Sequence, residues 1–173
     1  MEKEKRNQLI VAGLMLLIGG AIVYLATTFM STRPVELNSI SYRQAIEEMQ
    51  KTDSKQAFYI GCRHCGHCAN LEKVLKQFLT KHKDKNVGNN LIHKVEAGYS
   101  CIPETTDSTY TDYAKIFDFL VANKVAQNNN EKSFGTPQFL IVENGKVVDE
   151  LDNYGRTVEG LEKLFTVQKY RGF

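Results

Sequence analysis

Tryptophan is absent from this 173-residue chain, and proline is scarce, with three residues. Internal repeats and long tracts of low complexity are also missing. Linkers between domains are often rich in such material, so its absence argues against a second folded domain. The 140 residues after position 33 are enough for one domain with a full hydrophobic core. We therefore expect a single folded domain in residues 34–173.

An excess of charge of one sign is lacking too. The whole chain has 22 basic and 20 acidic residues, and residues 1–33 hold four and two of them, so residues 34–173 carry 18 of each. A protein that binds nucleic acid needs a basic patch to neutralise phosphates. The balance argues against a nucleic-acid partner.

Charged residues are missing from the 26 positions between Arg6 and Arg33, and the stretch from Leu9 to Met30 is mostly apolar. About 20 such residues span a bilayer core. The run is longer than the roughly 7 to 15 apolar residues of a signal peptide, and no small-x-small cleavage site ends it. We expect residues 1–33 to be a short cytoplasmic stub and an uncleaved transmembrane anchor. The alternative, a buried core helix, is disfavoured because the run has no polar face.

Basic residues flank this apolar run unequally, with Lys3, Lys5 and Arg6 before it and Arg33 after it. Positive charge is enriched on the cytoplasmic side of membrane anchors. We therefore expect a single-pass protein of the cell membrane with a cytoplasmic N-terminus and an extracytoplasmic domain. All four cysteines lie in that domain, beyond the cytosolic thiols that would keep them reduced.

Strand and helix signals alternate through residues 34–173. Ser41 and Gln44 are spaced as a capping box at the start of a helix. Asn144 and Gly145 form a hairpin signal between two apolar runs. The order strand, helix, strand, helix, strand, helix, hairpin, helix predicts an α/β fold, with a mixed central sheet and helices on both faces.

Three cysteines, Cys62, Cys65 and Cys68, are spaced by three residues where the second strand leads into the second helix. A helix N-terminus favours anions, so Cys65 should have a lowered pKa and a large thiolate fraction. Cys68 should be more buried, one turn further on. In such a pair the outer thiolate attacks a disulfide and the inner thiol resolves the mixed disulfide. His67, when charged, would stabilise the thiolate and make the oxidised pair a stronger oxidant; the alternative is a solvated histidine at the helix end.

The strand "AFYIG", the sequence "CGHC" at a helix start and "GTP" about 70 residues later resemble the thioredoxin superfamily over roughly residues 35–168. This resemblance implies a thioredoxin-like fold and a thiol-disulfide oxidoreductase without a cofactor. Cys65 would be the nucleophile and Cys68 the resolving thiol. The resemblance also implies that Pro137 is cis and that Thr136 lies against the cysteine pair, so both would shape the substrate groove.

Two narrower resemblances concern the direction of the reaction and the substrate. "CGHC" is the active-site sequence of protein disulfide isomerases. The anchor, and "FYIG" followed three residues later by the cysteine pair, are similar to bacteriocin transport accessory proteins of Gram-positive bacteria. They imply formation or isomerisation of disulfides in secreted proteins or peptides, bacteriocins among them, with a separate redox partner.

The chain also departs from the superfamily pattern. Ala57 occupies the position of a buried acid that helps to deprotonate the resolving cysteine, and His64 replaces the tryptophan that usually precedes the first cysteine. The connection from the strand is two residues longer. Deprotonation of Cys68 would then depend on His64, His67 or water, or it would be slow.

Cys62 and Cys101 each follow a strand, and the two strands should be parallel neighbours because a helix connects them. Their outgoing loops would leave the same edge of the sheet, so a Cys62–Cys101 disulfide is within plausible reach and would brace the second loop. Two alternatives stay open. Cys62 could exchange with Cys65 in a thiol relay that ends at Cys101, or both could be free thiols.

Two other classes of function compete with the redox enzyme. Cys62, Cys65 and Cys68 with His64 and His67 offer soft ligands for a zinc or copper site. A non-enzymatic accessory protein of a secretion system is the second class, in which the disulfides would only stabilise the fold.

Overall fold

The computed structural model describes residues 19–20, 37–82, 92–96 and 101–170. Contacts along the backbone divide the chain into two units, Met1–Pro34 and Val35–Phe173. The expected transmembrane anchor lies outside the described residues, except for Gly19 and Gly20, which are helical. Within the described ranges, no helix has the length and apolar character needed to cross a membrane.

A five-stranded mixed sheet forms the centre of the second unit, in the order β1-β3-β2-β4-β5. Neighbours β1 and β3 are parallel, as are β3 and β2, whereas β4 is antiparallel to both β2 and β5. The strands are β1 (Asn38–Ile40), β2 (Lys55–Gly61), β3 (Ile92–Glu96), β4 (Gln138–Glu143) and β5 (Lys146–Glu150).

In the part of this unit that the structure describes, four α-helices connect and cover the strands: α1 (Tyr42–Met49), α2 (Gly66–Lys81), α3 (Tyr110–Ala122) and α4 (Val158–Val167). Ser41 and Gln44 form the predicted capping box at α1, with the Gln44 N–H donating to Ser41 Oγ over 3.3 Å and the Ser41 N–H donating to Gln44 Oε1 over 2.9 Å. The predicted hairpin turn lies between β4 and β5.

The side chains of β2 alternate between two hydrophobic cores. Phe58 and Ile60 pack in the core that contains residues of α1 and α3, and Ala57 and Tyr59 pack in the core that contains residues of α2 and α4. All four side chains are fully buried. The expected α/β fold, a mixed sheet with helices on both faces, is confirmed.

This topology brings three segments of the chain to one edge of the sheet. Parallel strands β2 and β3 end there, and four residues separate the end of β2 from the start of α2. Because β4 runs antiparallel to β2, it begins at the edge where β2 ends, with Gln138 paired to Ile60. Cys62 and Cys65, which follow β2, therefore lie near Thr136 and Pro137, which precede β4.

Candidate active site

Cys65 is the N-cap residue of α2, and its half-buried thiol lies among hydrogen-bonding groups. The backbone N–H of Cys68 donates to Cys65 Sγ over 3.1 Å. The Cys65 thiol in turn donates to the carbonyl oxygen of Thr136, 3.6 Å away. An N-cap sulfur accepts one of the backbone N–H groups that the first helical turn leaves unpaired, so a negative charge on it is favoured.

The two thiols of the pair have opposite pKa shifts. Partial burial by itself raises the pKa of Cys65, but hydrogen bonds from the Cys68 thiol, from the N–H groups of Cys68 and His67, and with Thr136 outweigh it and lower that pKa. Burial, reinforced by the hydrogen bond to Cys65, raises the pKa of Cys68, which is only 1% exposed. Cys65, the outer cysteine, is therefore the thiol of the pair that ionises first.

Thr136 contacts the sulfurs through two different atoms. Its peptide bond to Pro137 is cis, and its carbonyl oxygen faces Cys65. Its hydroxyl donates to Cys101 Sγ over 3.6 Å and lies 3.8 Å from Cys62 Sγ. The structure thus places Thr136 against the cysteine cluster.

A disulfide joins Cys62 to Cys101, with a Cα separation of 5.1 Å, and Cys65 and Cys68 are free thiols. The Sγ atoms of Cys62, Cys65 and Cys68 all lie within 4.8 Å of one another. Cys62 is 5% exposed, whereas Cys101 is half-buried. The second pair of cysteines therefore belongs to the same site as the first.

The same three sulfurs form the group best placed to hold a metal ion among the described residues, and neither His64 nor His67 belongs to it. Both histidine side chains are exposed. Metal binding requires thiolates, and the Cys62 sulfur is bonded to Cys101. A three-sulfur metal site would therefore require prior reduction of that disulfide.

The sequence did not reveal the polar group beneath Cys68. The Tyr59 hydroxyl lies 3.3 Å from the carbonyl oxygen of Cys68 and 3.2 Å from Glu72 Oε1, and the Lys94 ammonium pairs with the same Glu72 oxygen at 3.0 Å. Burial raises the pKa of Tyr59, so this hydroxyl stays protonated. The carboxylate of Glu72, on α2, thus contacts the Tyr59 hydroxyl and the Lys94 ammonium, whereas the Cys68 side chain packs in the core that contains residues of α1 and α3. The sequence signal of this carboxylate is the spacing of Glu72, one helical turn after Cys68.

Arg156, in the loop before α4, was also not predicted. Its guanidinium makes two hydrogen bonds to the Asp152 carboxylate, at 2.7 and 2.8 Å. These bonds raise the pKa of Arg156, and negative charge on Cys68 and Cys65 adds to the increase. The Arg156 guanidinium is therefore within electrostatic range of the cysteine pair, and the Asp152 carboxylate that it binds offsets its positive charge.

The chain matches no protein-family model and no curated protein. Among solved structures it is similar to thioredoxin f2 from Chlamydomonas reinhardtii, with 12% identity and a TM-score of 0.48 over 78% of this chain and 97% of that one. It is also similar to a thioredoxin from Aeropyrum pernix, with 15% identity and a TM-score of 0.47 over 76% and 85% of the two chains. A third similar structure is a thioredoxin from Trypanosoma brucei brucei, with 15% identity and a TM-score of 0.43 over 78% of this chain and 96% of that one.

Identities and TM-scores this low carry no information on the activity of this chain. What the chain itself possesses is a five-stranded mixed sheet with helices on both faces, a Cys-Gly-His-Cys pair at the start of α2 and a cis Thr136-Pro137 bond before β4.

Proposed function

We propose that this chain is a thiol-disulfide oxidoreductase with Cys65 as nucleophile and Cys68 as resolving thiol. The observation that carries the proposal is the asymmetry of the pair. Cys65 is partly exposed at a helix N-cap with a lowered pKa, and Cys68 is buried with a raised pKa. Thiol-disulfide exchange needs a thiolate that can reach a substrate and a second thiol that is protected until the mixed disulfide forms.

The proposed reaction with a substrate disulfide has two steps. The Cys65 thiolate attacks one substrate sulfur, so that a mixed disulfide forms and the other substrate sulfur leaves as a thiolate. Attack by another substrate thiolate on the substrate sulfur of the mixed disulfide forms a new substrate disulfide, releases the Cys65 thiolate and completes isomerisation. Attack by Cys68 on Cys65 Sγ instead forms the Cys65–Cys68 disulfide, releases the substrate sulfur as a thiolate and completes reduction. Oxidation of a substrate dithiol follows the reduction path in reverse, starting from the Cys65–Cys68 disulfide. Thr136 and Pro137 would line the groove that holds the substrate.

We further propose that oxidation or isomerisation is the physiological direction. Stabilisation of the Cys65 thiolate by charged His67 would favour the reduced pair and raise its reduction potential. The expected anchor in residues 1–33 would place the domain outside the cytoplasm. The substrates would then be secreted, cysteine-containing proteins or peptides, bacteriocins among them, and a separate redox partner would restore the pair.

Turnover tests the enzymatic part of this proposal. The full-length chain and its Cys65→Ser variant are compared in the oxidative refolding of a scrambled disulfide protein and in the reduction of insulin. Cys65→Ser should abolish both activities, because no other described thiol combines exposure with a lowered pKa. Full activity of Cys65→Ser would contradict the assignment of Cys65 as nucleophile, whereas no activity in the wild-type chain would favour a non-enzymatic role.

The direction is tested by the reduction potential, measured against glutathione. We expect a value well above that of thioredoxin, which is about −270 mV. His67→Ala should lower the potential, and His64→Ala, which removes another exposed histidine next to the pair, is the matched control. A wild-type value near that of thioredoxin would rule out the oxidative direction.

A further inference from the structure

Four sulfur atoms lie together at the edge where β2 and β3 end. Cys62, bonded to Cys101, has its Sγ within 4.8 Å of the Sγ atoms of both Cys65 and Cys68. The backbone N–H of Cys65 donates to the carbonyl oxygen of Cys62 over 3.4 Å, so a turn holds these two residues together. One chain therefore holds a reduced pair and an oxidised pair side by side.

We propose that the Cys62–Cys101 disulfide is a second redox centre that exchanges two electrons with the Cys65 and Cys68 thiols. The inference rests on the proposed oxidoreductase function and gives its active pair an acceptor within the same chain. A disulfide that only braced two loops would need no contact with the nucleophile. Here the proposed nucleophile, Cys65, is the free cysteine closest to Cys62 in the sequence, and its Sγ lies within 4.8 Å of Cys62 Sγ.

The exchange balances without an external reagent. The Cys65 thiolate attacks Cys62 Sγ, the Cys62–Cys65 bond forms, the Cys62–Cys101 bond breaks, and Cys101 leaves as a thiolate. Cys68, after losing its proton, attacks Cys65 Sγ, so that the Cys65–Cys68 bond forms and Cys62 leaves as a thiolate. The two protons lost by Cys65 and Cys68 pass, directly or through water, to Cys62 and Cys101. One dithiol is oxidised and one disulfide is reduced.

Thr136 is placed to assist the first step. Its hydroxyl donates to Cys101 Sγ, the sulfur that leaves with a negative charge, and lies within 3.8 Å of Cys62 Sγ, the sulfur that is attacked. A donor to a developing thiolate lowers the pKa of the leaving group, and a leaving thiol of lower pKa departs faster. Cys101 is also the more exposed of the two cysteines, so an external disulfide could re-oxidise the second centre there.

The first experiment measures how many electron pairs the fully oxidised protein accepts from a dithiol peptide. Full-length protein with both pairs oxidised is mixed, without oxygen, with an excess of a reduced peptide that contains two cysteines. Wild type should form two equivalents of peptide disulfide, and the Cys62→Ser/Cys101→Ser variant should form one. Cys65→Ser should form none, because the second centre would be reached through Cys65.

Each other outcome has a distinct meaning. A wild-type yield of one equivalent overturns the relay and leaves the oxidoreductase function intact. A wild-type yield of none overturns the oxidoreductase function, and the relay with it. One equivalent from Cys65→Ser, formed as fast as the second wild-type equivalent, overturns the relay by showing direct reduction of Cys62–Cys101.

The second experiment traps the intermediate in a variant that keeps the second disulfide. In Cys68→Ser the first step can occur and the second cannot, so a Cys62–Cys65 bond should accumulate beside a free Cys101. Trypsin places these cysteines in separate peptides, residues 56–63, 64–73 and 95–115. After acid quench and alkylation, a 56–63/64–73 crosslink with alkylated Cys101 supports the relay. If the 56–63/95–115 crosslink is the only one found at every incubation time, and Cys65 is alkylated, the relay is overturned.

Thr136 provides a matched pair of variants for the same trapping assay. Thr136→Val removes the hydroxyl and should slow the appearance of the Cys62–Cys65 crosslink several-fold. Thr136→Ser keeps the hydroxyl and should restore the rate. Equal rates in the two variants would overturn the role of this hydroxyl as a leaving-group donor.

Discussion

Reduction of the Cys62–Cys101 disulfide should destabilise the folded domain by up to about 4 kcal/mol. The bond joins residues with a sequence separation of 39. For a loop of that length, the loop-closure relation gives about 13 cal/mol/K of entropy removed from the unfolded chain, or about 4 kcal/mol at 25 °C. Residual structure in the denatured chain makes this an upper value. The measured loss should therefore be about 2 to 4 kcal/mol.

The assay is urea unfolding of the Cys65→Ser/Cys68→Ser variant with and without a thiol reductant. In that background Cys62–Cys101 is the only disulfide, so the same polypeptide supplies both states and no second substitution enters the comparison. A variant that lacks all four cysteines shows any direct effect of the reductant. A change in unfolding free energy below about 1 kcal/mol would refute the loop-entropy reasoning.

Three further predictions concern the site. A Cβ atom on Gly61 would overlap the Tyr59 hydroxyl, so Gly61→Ala should lower the free energy of unfolding in urea by about 1–3 kcal/mol. The control is Gly66→Ala, where the added Cβ meets no heavy atom within 4 Å, and equal stability of the two variants would contradict the contact. Tyr59→Phe removes the hydroxyl beneath Cys68 and should cost about 1 kcal/mol; an unchanged unfolding midpoint would contradict this. The alkylation rate of Cys65 should reach half its maximum at a pH below that of an ordinary cysteine, and that of Cys68 above it; the reverse order would contradict the pKa assignment.

The features predicted well from sequence depend on local chemistry or on topology. Ser41 and Gln44 form their capping box because both partners lie within one turn of α1. Asn144 and Gly145 take the positive φ angles, 53° and 75°, that their hairpin turn requires. The meeting of Cys62 with Cys101 follows from the parallel pairing of β2 with β3, which the connecting helix imposes.

The features that were missed depend on register and side-chain direction. Tyr59 faces Lys94 because the β2–β3 register pairs those two residues, and the sequence does not specify that register. Glu72 joins them because the phase of α2 turns it toward Tyr59. The position of Arg156 near the cysteines depends on the path of the loop after β5, which no periodic pattern encodes. Contacts between polar groups on separate elements therefore cannot be predicted from the sequence pattern of any single element.

The most direct test of the central claim is which cysteine captures a substrate. The Cys62→Ala/Cys101→Ala background removes competition from the second disulfide, and Cys65→Ser or Cys68→Ser is added to it. Each protein is incubated with a scrambled disulfide protein, quenched in acid, and mapped. The Cys68→Ser protein should accumulate a mixed disulfide at Cys65, and the Cys65→Ser protein should yield little or none. An equal or larger yield of adduct at Cys68 would contradict the assignment of Cys65 as the nucleophile.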